Sequence, residues 1–563
     1  MPSYLPKRSD MKPSGYQPVP KTATLPLISQ RRATPARMKR PLIVNGFMAS
    51  GKSSVGKRVA ELTGRPFVDL DSRIEARFGA AIPRIFAEQG EGAFRRAERE
   101  ELLAVLGTPG EAPVVAVGGG CLVRRELRLA ALDQAVVVAL QVTPEEVVER
   151  VGSDASRPNL AGDTRSRAEE LLELRADAYH EAHARLETRG QSTHDVALKA
   201  LAVWKRDPVA VASGEASYAV DVGSGVGPAL LLASCEPSTA VLLISDGNVA
   251  PLHAAALEQL LHGAKKRLAR LDFVPGEQNK TLASVQRALE AALAAGLDRK
   301  SKLVALGGGV TTDMTGFTAA SYLRGVNWVG LPTTLLAMVD ASVGGKTGVD
   351  LGEAKNAVGA FWQPSAVLCD VDYLKTEPER GYRSGLAEAV KTALIGDPEL
   401  FELLERETAG IAARDADLLT DIVRRCIRVK ARVVSADPRE AGLRAVLNLG
   451  HTVGHAVEAQ AGFERLTHGE AVSLGMIAAL RIGQRLGHTP ADLAARAQAL
   501  LEKLQLPTAI EREPLAEAAE LIGHDKKRAG SQVKFVFARG VGDVITAPVD
   551  LSELRELTRA LAT

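Results

Sequence analysis

The sequence predicts an α/β protein in three parts, and three observations lead there. At 563 residues the chain exceeds what one ordinary hydrophobic core serves. Its first two thirds carry short apolar runs, several ending in glycine, separated by charged helical stretches, the pattern of parallel sheets covered by helices. After about Tyr373 the apolar runs lengthen to helices, and strands become rare until KFVFARG.

Residues 1–40 hold Lys7, Arg8, Lys12, Lys21, Arg31, Arg32, Arg37, Lys39 and Arg40 against the single acid Asp10, with no apolar period, and read as a disordered basic extension. The segment has the Arg-rich, acid-poor character of a transit peptide. It lacks an amphipathic helix, however, and is broken by Pro18, Pro20, Pro26 and Pro35, so an unstructured tail or a start at Met38 are the plainer readings. From residue 41, PLIVNGF predicts a strand and SSVGKRVAELTG a helix closed at Gly64. PVVAVGGG and AVVVAL continue a parallel unit over 41–204. Helical periodicity lapses between Trp204 and Tyr218, after which YAVDVG, AVLLIS and KLVALGGG open a second α/β unit over 205–375; a mainly helical unit fills 376–563.

Lys+Arg 70 against Asp+Glu 68 gives no general signature of nucleic-acid or membrane binding. No stretch has the roughly 18 uncharged apolar residues that span a bilayer. Cys121, Cys235, Cys369 and Cys426 are scattered without a C-x-x-C pair, which fits a reducing, cytoplasmic setting.

Gly46-Phe-Met-Ala-Ser-Gly51-Lys52-Ser53 satisfies G-x-x-x-x-G-K-S/T between a predicted strand and helix. Backbone N–H groups of such a loop cradle phosphate, the lysine reaches the β and γ phosphates, and the hydroxyl holds Mg²⁺. VGGKTG around Lys346 is a decoy, because Asp340 stands where the first glycine should be. Asp69 and Asp71 in FVDLDSRIE, Arg95 and Arg96 in GAFRRAE, and Gly118, Gly119 and Gly120 follow. In order and spacing, residues 41 to about 190 resemble shikimate kinase. The resemblance implies a P-loop kinase domain in which Gly46, Gly51, Lys52, Ser53, Ser54, Asp69 and Arg157 hold ATP and magnesium. It also implies that Asp71, Arg95, Gly118, Gly119, Gly120 and Arg175 hold shikimate, with Lys52, Asp71 and Arg157 catalytic. The family pattern R-x-P-L-Y departs here to Arg175-Ala-Asp-Ala178-Tyr179.

In the second unit, Gly308, Gly309 and Asp313 follow an apolar strand, and a glycine-rich segment holds Asp340, Lys346, Lys355 and Asn356, a basic loop suited to an anion. Glu388 and Lys391 lie one helical turn apart; Lys430, Arg444, Asn448, His451, His455 and His468 come later. His451 and His455 share a helix face but lack the glutamate of H-E-x-x-H. From about 215 to the C-terminus this order resembles 3-dehydroquinate synthase, which implies a Rossmann-like NAD-binding domain joined to a helical metal-binding domain. The metal ligands implied are Glu388, His451 and His468, around zinc or cobalt. For NAD they are Asp246, Asn248, Glu277, Lys280, Gly308, Gly309, Asp313, Thr333, Thr334, Asp340, Lys346 and Lys355. For the seven-carbon sugar acid phosphate DAHP they are Asp340, Lys346, Asn356, Lys391, Lys430, Arg444, Asn448, His455, and Lys526 or Lys527. Of these, Lys346, Lys391, Lys430, Arg444, Asn448 and His455 would serve catalysis.

The two resemblances together imply a bifunctional enzyme of aromatic biosynthesis. One half makes shikimate 3-phosphate with ATP; the other converts DAHP to 3-dehydroquinate and phosphate without net use of NAD. The implied partners are these small molecules and a second copy of the chain, with neither nucleic acid nor membrane. Two rival classes are a nucleotide-sensing or scaffolding half on a working synthase, which would have lost Lys52, Asp71 or a metal ligand, and a generic zinc hydrolase, which would not need NAD.

Overall fold

The computed structural model describes residues 39–562 apart from 111, 152–162, 353, 439, 441, 463–464 and 524–530. Three expected site residues, Arg157, Lys526 and Lys527, therefore lie outside the described residues, as does most of the basic extension.

The first unit is a five-stranded parallel sheet: β1 (Leu42–Gly46), β2 (Phe67–Asp69), β3 (Val114–Ala116), β4 (Val136–Gln141) and β5 (Ala184–Glu187), in the order β2-β3-β1-β4-β5. Side chains alternate along each strand, so Leu42, Val44, Val136 and Val138 face helices Lys52–Thr63 and Thr193–Arg206, while Ile43, Val115 and Val137 face the opposite layer with Leu70, Ile74 and Leu102. The chain leaves β1 toward β2 and returns on the other side through β4, so the loop after β1 opens at the point where strand order reverses.

The second sheet has seven strands: β6 (Val209–Val211), β7 (Tyr218–Gly223), β8 (Ala240–Asp246), β9 (Arg267–Phe273), β10 (Lys302–Gly307), β11 (Asn327–Pro332) and, after a hairpin of β12 (Lys346–Leu351) and β13 (Ala354–Phe361), β14 (Ala366–Asp370). Their order is β6-β7-β14-β11-β10-β8-β9, parallel except for the β6/β7 pair. Its reversal point lies between β8 and β10, whose ends carry Asp246 and Gly308. The helical unit is not a separate body. One sheet face, with Val220, Leu243, Val304, Val329 and Val367, shares a continuous core with Leu386, Val390, Ile427, Val434 and Ile477, and the C-terminal hairpin of β15 (Gln532–Gly540) and β16 (Asp543–Asp550) joins it through Phe535, Phe537 and Val544.

The expected boundary at 204/205 falls inside a continuous element. Helix Thr193–Arg206 runs past it, and β6 belongs to both neighbours: Val209 and Val211 enter the core of the second unit, Ala210 and Ala212 that of the first. Period-two alternation is the reason, since a strand lying between two cores supplies each with every second residue. Arg40, assigned above to the disordered extension, is 8% exposed. It donates to Asp207 Oδ1 at 2.7 Å and to the carbonyl of Pro208 at 2.8 Å, while Arg428 reaches Asp207 Oδ2 from the far side at 2.7 Å. The helix Ala416–Ala436 continues this seam: Ser435 Oγ accepts from Ala212 N at 2.9 Å, and its carbonyl from Arg125 at 2.7 Å.

Candidate active sites

The loop after β1 is shaped by glycine. Gly46 (φ 148°) has no room for a side chain, because a Cβ there would lie 2.7 Å from Ser50 Oγ and 2.8 Å from the Leu140 carbonyl; Gly51 (φ 89°) starts helix Lys52–Thr63 from the left-handed region. Lys52 Nζ folds back to the carbonyl of Phe47 at 2.9 Å. Ser53 Oγ donates to Asp69 Oδ2 at 2.7 Å, so the hydroxyl and carboxylate expected on magnesium stand together, while Asp69 Oδ1 caps helix Leu70–Phe78. Ser54 is exposed.

Beside this loop the residues expected on the second ligand converge. A Cβ on Gly118 would lie 2.7 Å from Glu98 Oε1 and 2.8 Å from Asp71 Oδ1; one on Gly120 would lie 2.7 Å from both terminal nitrogens of Arg95; one on Gly119 would lie 3.3 Å from the phosphate-loop nitrogen of Met48. Asp71 Oδ1 and Glu98 Oε1 are buried polar atoms with no hydrogen-bond partner among the described residues, an arrangement that costs free energy until a donor arrives. Arg95 donates to Glu98 Oε2 at 2.5 Å. Burial nevertheless pushes Glu98 up to about 7, with Arg95 and Arg175 pulling the other way; burial and then Asp69 raise Asp71 as well. Tyr179 donates to the Gly119 carbonyl at 2.7 Å, and its neighbour Ala178, where the family pattern differs, is buried and accepts from Asn45 at 2.7 Å through its carbonyl. Arg96 is exposed on the same helix. Glu98 was not singled out from sequence; its position three residues after Arg95 was the available signal.

In the second unit, Asp246 Oδ1 accepts from Asn248 N at 2.9 Å and Oδ2 from Thr311 Oγ1 at 3.0 Å, tying the end of β8 to the helix Gly309–Ser321 that follows β10. Gly308 packs against Thr334, Thr333 N donates to the Gly307 carbonyl at 3.0 Å, and Thr333 Oγ1 is buried without a partner among the described residues. Thirteen residues of helix thus begin at a glycine cradle suited to phosphate. Lys280, 4% exposed, donates to Asp313 Oδ2 and to Asn356 Oδ1, each at 2.6 Å, and lies 3.9 Å from Glu277. Burial raises Asp313 to about 6, with Lys280 opposing. Lys355 and Asn356 have different partners along β13: Asn356 accepts from Lys280, a residue expected on the dinucleotide, whereas Lys355 pairs with Glu458 at 3.2 Å, beside the histidines.

Three helices bring the expected metal ligands together. Glu388 comes from Glu379–Gly396, His451 begins His451–Gln460, and His468 begins His468–Arg485 behind a Thr467–Glu470 capping box. Glycines allow the approach: a Cβ on Gly469 would stand 2.1 Å from the Ser384 carbonyl, and one on Gly475 would stand 2.1 Å from that of Gly450. The Glu388 carboxylate is fully buried, with Oε1 3.7 Å from His451 Nε2 and 3.4 Å from His468 Nε2; Lys391 Nζ pairs with Oε2. Burial alone would keep Glu388 protonated, but Lys391 and His468 outweigh it and hold the carboxyl at about 2. Among the described residues neither oxygen has a hydrogen bond of ordinary geometry, and two imidazoles with one carboxylate are the donor set of catalytic zinc sites. The residues fit a divalent metal. His451 Nδ1 faces the Leu449 carbonyl at 3.2 Å, which turns Nε2 inward. His455 is exposed at its side; with Glu458 and His468 it forms the second of two potential ligand clusters among the described residues.

Around them, Lys430 donates to Asp340, and Arg444, 3% exposed, reaches the Gly344 carbonyl at 3.3 Å. Lys346 is half exposed and pairs with Glu440 at 2.7 Å, and Asn448 ends the turn Leu443–Asn448. Gly309 and Ala341 touch, so Asp340 stands where the glycine cradle meets the cationic groups.

Comparison with known proteins finds two families in the chain. The shikimate kinase family model matches residues 48–205, and the 3-dehydroquinate synthase N-terminal and C-terminal models match 270–384 and 385–528. The 3-dehydroquinate synthase of Geobacter metallireducens is 44% identical over 352 residues, covering 62% of this chain and 98% of its own. Two solved structures share the second part. A 2-deoxy-scyllo-inosose synthase with carbaglucose-6-phosphate, NAD+ and Co2+ is 27% identical over 63% of this chain and 99% of that one, with a TM-score of 0.57. ValA, a 2-epi-5-epi-valiolone synthase from Streptomyces hygroscopicus subsp. jinggangensis 5008 with NAD+ and Zn2+ bound, is 29% identical over 61% and 96%, also with a TM-score of 0.57. With a shikimate kinase domain ahead of it, the chain belongs to the 3-dehydroquinate synthase family and is a bifunctional enzyme of the shikimate pathway.

Proposed function

We propose that the two sites work through the residues gathered above. The observation that carries the synthase assignment is the buried Glu388 carboxylate, with two imidazole Nε2 atoms within 3.7 Å of one oxygen and the Lys391 ammonium on the other. Glu388, His451 and His468 hold zinc or cobalt; both occur in solved relatives, which also hold NAD+. Bound nicotinamide would accept and return a hydride, and the metal would polarise substrate oxygens. The protein's own part is positioning and charge. Asp246, Asn248, Glu277, Lys280, Gly308, Gly309, Asp313, Thr333 and Thr334 line the dinucleotide side. Asp340, Lys346, Lys355 and Asn356 stand between the two ligands. Lys391, Lys430, Arg444, Asn448 and His455 face DAHP, where buried cations stabilise the leaving phosphate and developing enolate.

In the kinase half, the loop Gly46–Gly51 with Lys52 and Ser53 supports binding of ATP and magnesium. The raised carboxyl of Asp71 suits it to accept the shikimate hydroxyl proton, while Arg95, Arg175 and the glycine tract hold the acid. Arg157 and Lys526 or Lys527 complete the proposal from sequence alone. We further assign the chain to the cytoplasm and to a homodimer formed through the synthase half, the first supported by four unpaired buried cysteines and by no helix among the described residues being long and apolar enough to cross a membrane.

The test is phosphate release from DAHP by the full-length enzyme with and without added NAD and a chelator. Turnover that needs both NAD and metal is expected; turnover indifferent to NAD would leave a metal hydrolase instead.

A further inference from the structure

Glu458 has no role in the assignments above, yet it sits at their centre. It lies on helix His451–Gln460, seven residues after His451 and three after His455, on the same face. It is 5% exposed. Its Oε2 faces His468 Nδ1 at 3.7 Å, while the Nε2 of the same ring faces Glu388 Oε1 at 3.4 Å. Its Oε1 accepts from Lys355 Nζ at 3.2 Å, and Lys355 extends from hairpin β12–β13 of the other unit.

A buried carboxylate needs partners, and Glu458 has two that do different things. We propose that Glu458 is the positioning residue of the metal centre: its carboxylate accepts the Nδ1 proton of His468, fixing the tautomer and ring plane that aim Nε2 at the metal, while Lys355 holds that carboxylate in place from the hairpin. At His451 the Leu449 carbonyl takes the corresponding place 3.2 Å from Nδ1, closer than the 3.7 Å that separates Glu458 Oε2 from His468 Nδ1, so each imidazole has an acceptor group on its Nδ1 side. The two acceptors differ in a further respect. The carbonyl is neutral and local, whereas Glu458 is charged and tied to the segment that also carries Asn356 and, through it, Lys280. The metal helix and the dinucleotide side are thereby linked through one side chain. An acceptor behind a ligating histidine raises the basicity of the ring and lowers its freedom, and its loss typically weakens metal binding by about 10- to 100-fold.

This inference rests on reading Glu388, His451 and His468 as the ligands, so Glu388→Gln serves as the control for that reading. Full-length protein and its Glu458→Ala and Glu458→Gln variants would be titrated with Co2+ against a chromophoric chelator, and the visible spectrum of the bound ion recorded, with shikimate-dependent ADP formation as a check of folding. Glu388→Gln should lose cobalt binding at this centre; if it does not, the ligand reading fails and the inference falls with it. Given that loss, Glu458→Ala should weaken cobalt binding about 10- to 100-fold and alter the spectrum. Glu458→Gln, which keeps an acceptor oxygen but no charge, should fall between. Wild-type affinity and spectrum in both variants would overturn the proposal. So would a lowered unfolding temperature of the metal-free protein with unchanged cobalt affinity, which would assign Glu458 to packing; should the alanine variant not fold, the glutamine variant alone decides.

Discussion

Lys430 Nζ lies 2.6 Å from the backbone carbonyl of Asp340 and 2.5 Å from its Oδ1, joining residues 90 positions apart. Lys430 is drawn from the helix that also forms the seam with the kinase half, and Asp340 from the turn Ala337–Ala341 against the glycine cradle. Burial depresses the Lys430 ammonium, while Lys430 and then Lys391 hold Asp340 ionised against its own burial.

Replacing Asp340 by alanine leaves the Lys430 ammonium, 11% exposed, without its carboxylate. Removing one member of a buried pair costs about 3–5 kcal/mol; because the Asp340 side chain is 32% exposed and water already shares its charge, the expected loss is nearer 1–3 kcal/mol. The larger effect should fall on phosphate release from DAHP, with kcat/KM reduced at least ~100-fold, or about 2.7 kcal/mol of transition-state stabilisation. Steady-state kinetics and thermal unfolding measure both.

Gly120→Ala should act on shikimate and not on ATP. A methyl at this position meets the Arg95 guanidinium at 2.7 Å and must displace it, whereas the phosphate loop touches Gly119 instead. The KM for shikimate is expected to rise about tenfold or more, a loss of about 1.4 kcal/mol in binding, with the KM for ATP and the synthase rate unchanged.

Glu98 sets a pH dependence whose sign is opposite to the usual one for a salt-bridged carboxylate, because burial outweighs its pairing with Arg95. Its folded value of about 7 exceeds the ordinary 4.5, so the folded state binds more protons between these limits and stability falls as pH rises across that window. The full extent is at most about 3 kcal/mol, from about 1.4 kcal/mol per unit. Glu98→Gln should therefore gain unfolding temperature relative to wild type as pH goes from 4.5 to 8; a constant difference would contradict the assignment.

Much of this arrangement was legible in sequence because it rests on short-range patterns. The G-x-x-x-x-G-K-S loop lies between a strand and a helix as its flanking residues require, and His451 and His455 do share a helix. Residues whose meaning depends on distant partners were less legible. Glu98 and Glu458 read as ordinary helix acids until Gly118 and His468 are brought beside them. β6 was missed because VAV is only three residues long, and its alternate burial in two cores is a tertiary property. Arg40 looked like the last charge of a basic tail until Asp207 and the carbonyls of Ala135 and Pro208 closed around it.

That seam makes a prediction of its own. Asp207, in the left-handed region at φ 52°, takes Arg40 from one side and Arg428 from the other, and the two arginines hold its carboxyl well below the usual range despite burial. A depressed carboxyl contributes stability above its unfolded value of 3.8 and loses it as pH falls below, so at pH 7 the whole contribution is present. Asp207→Asn keeps the backbone conformation, which asparagine also tolerates, but removes the charge; a loss of about 2 kcal/mol is expected. Calorimetry should show the kinase and synthase transitions both shifting down. A shift confined to one would mean that the halves are joined by the chain alone.

The central claim, two independent chemistries in one chain, is tested most directly by measuring both reactions on the same preparations of wild type, Lys52→Ala and Glu388→Gln. Shikimate-dependent ADP formation should be lost only in Lys52→Ala, and phosphate release from DAHP only in Glu388→Gln. Loss of both activities in either folded variant, or survival of both, would contradict the account.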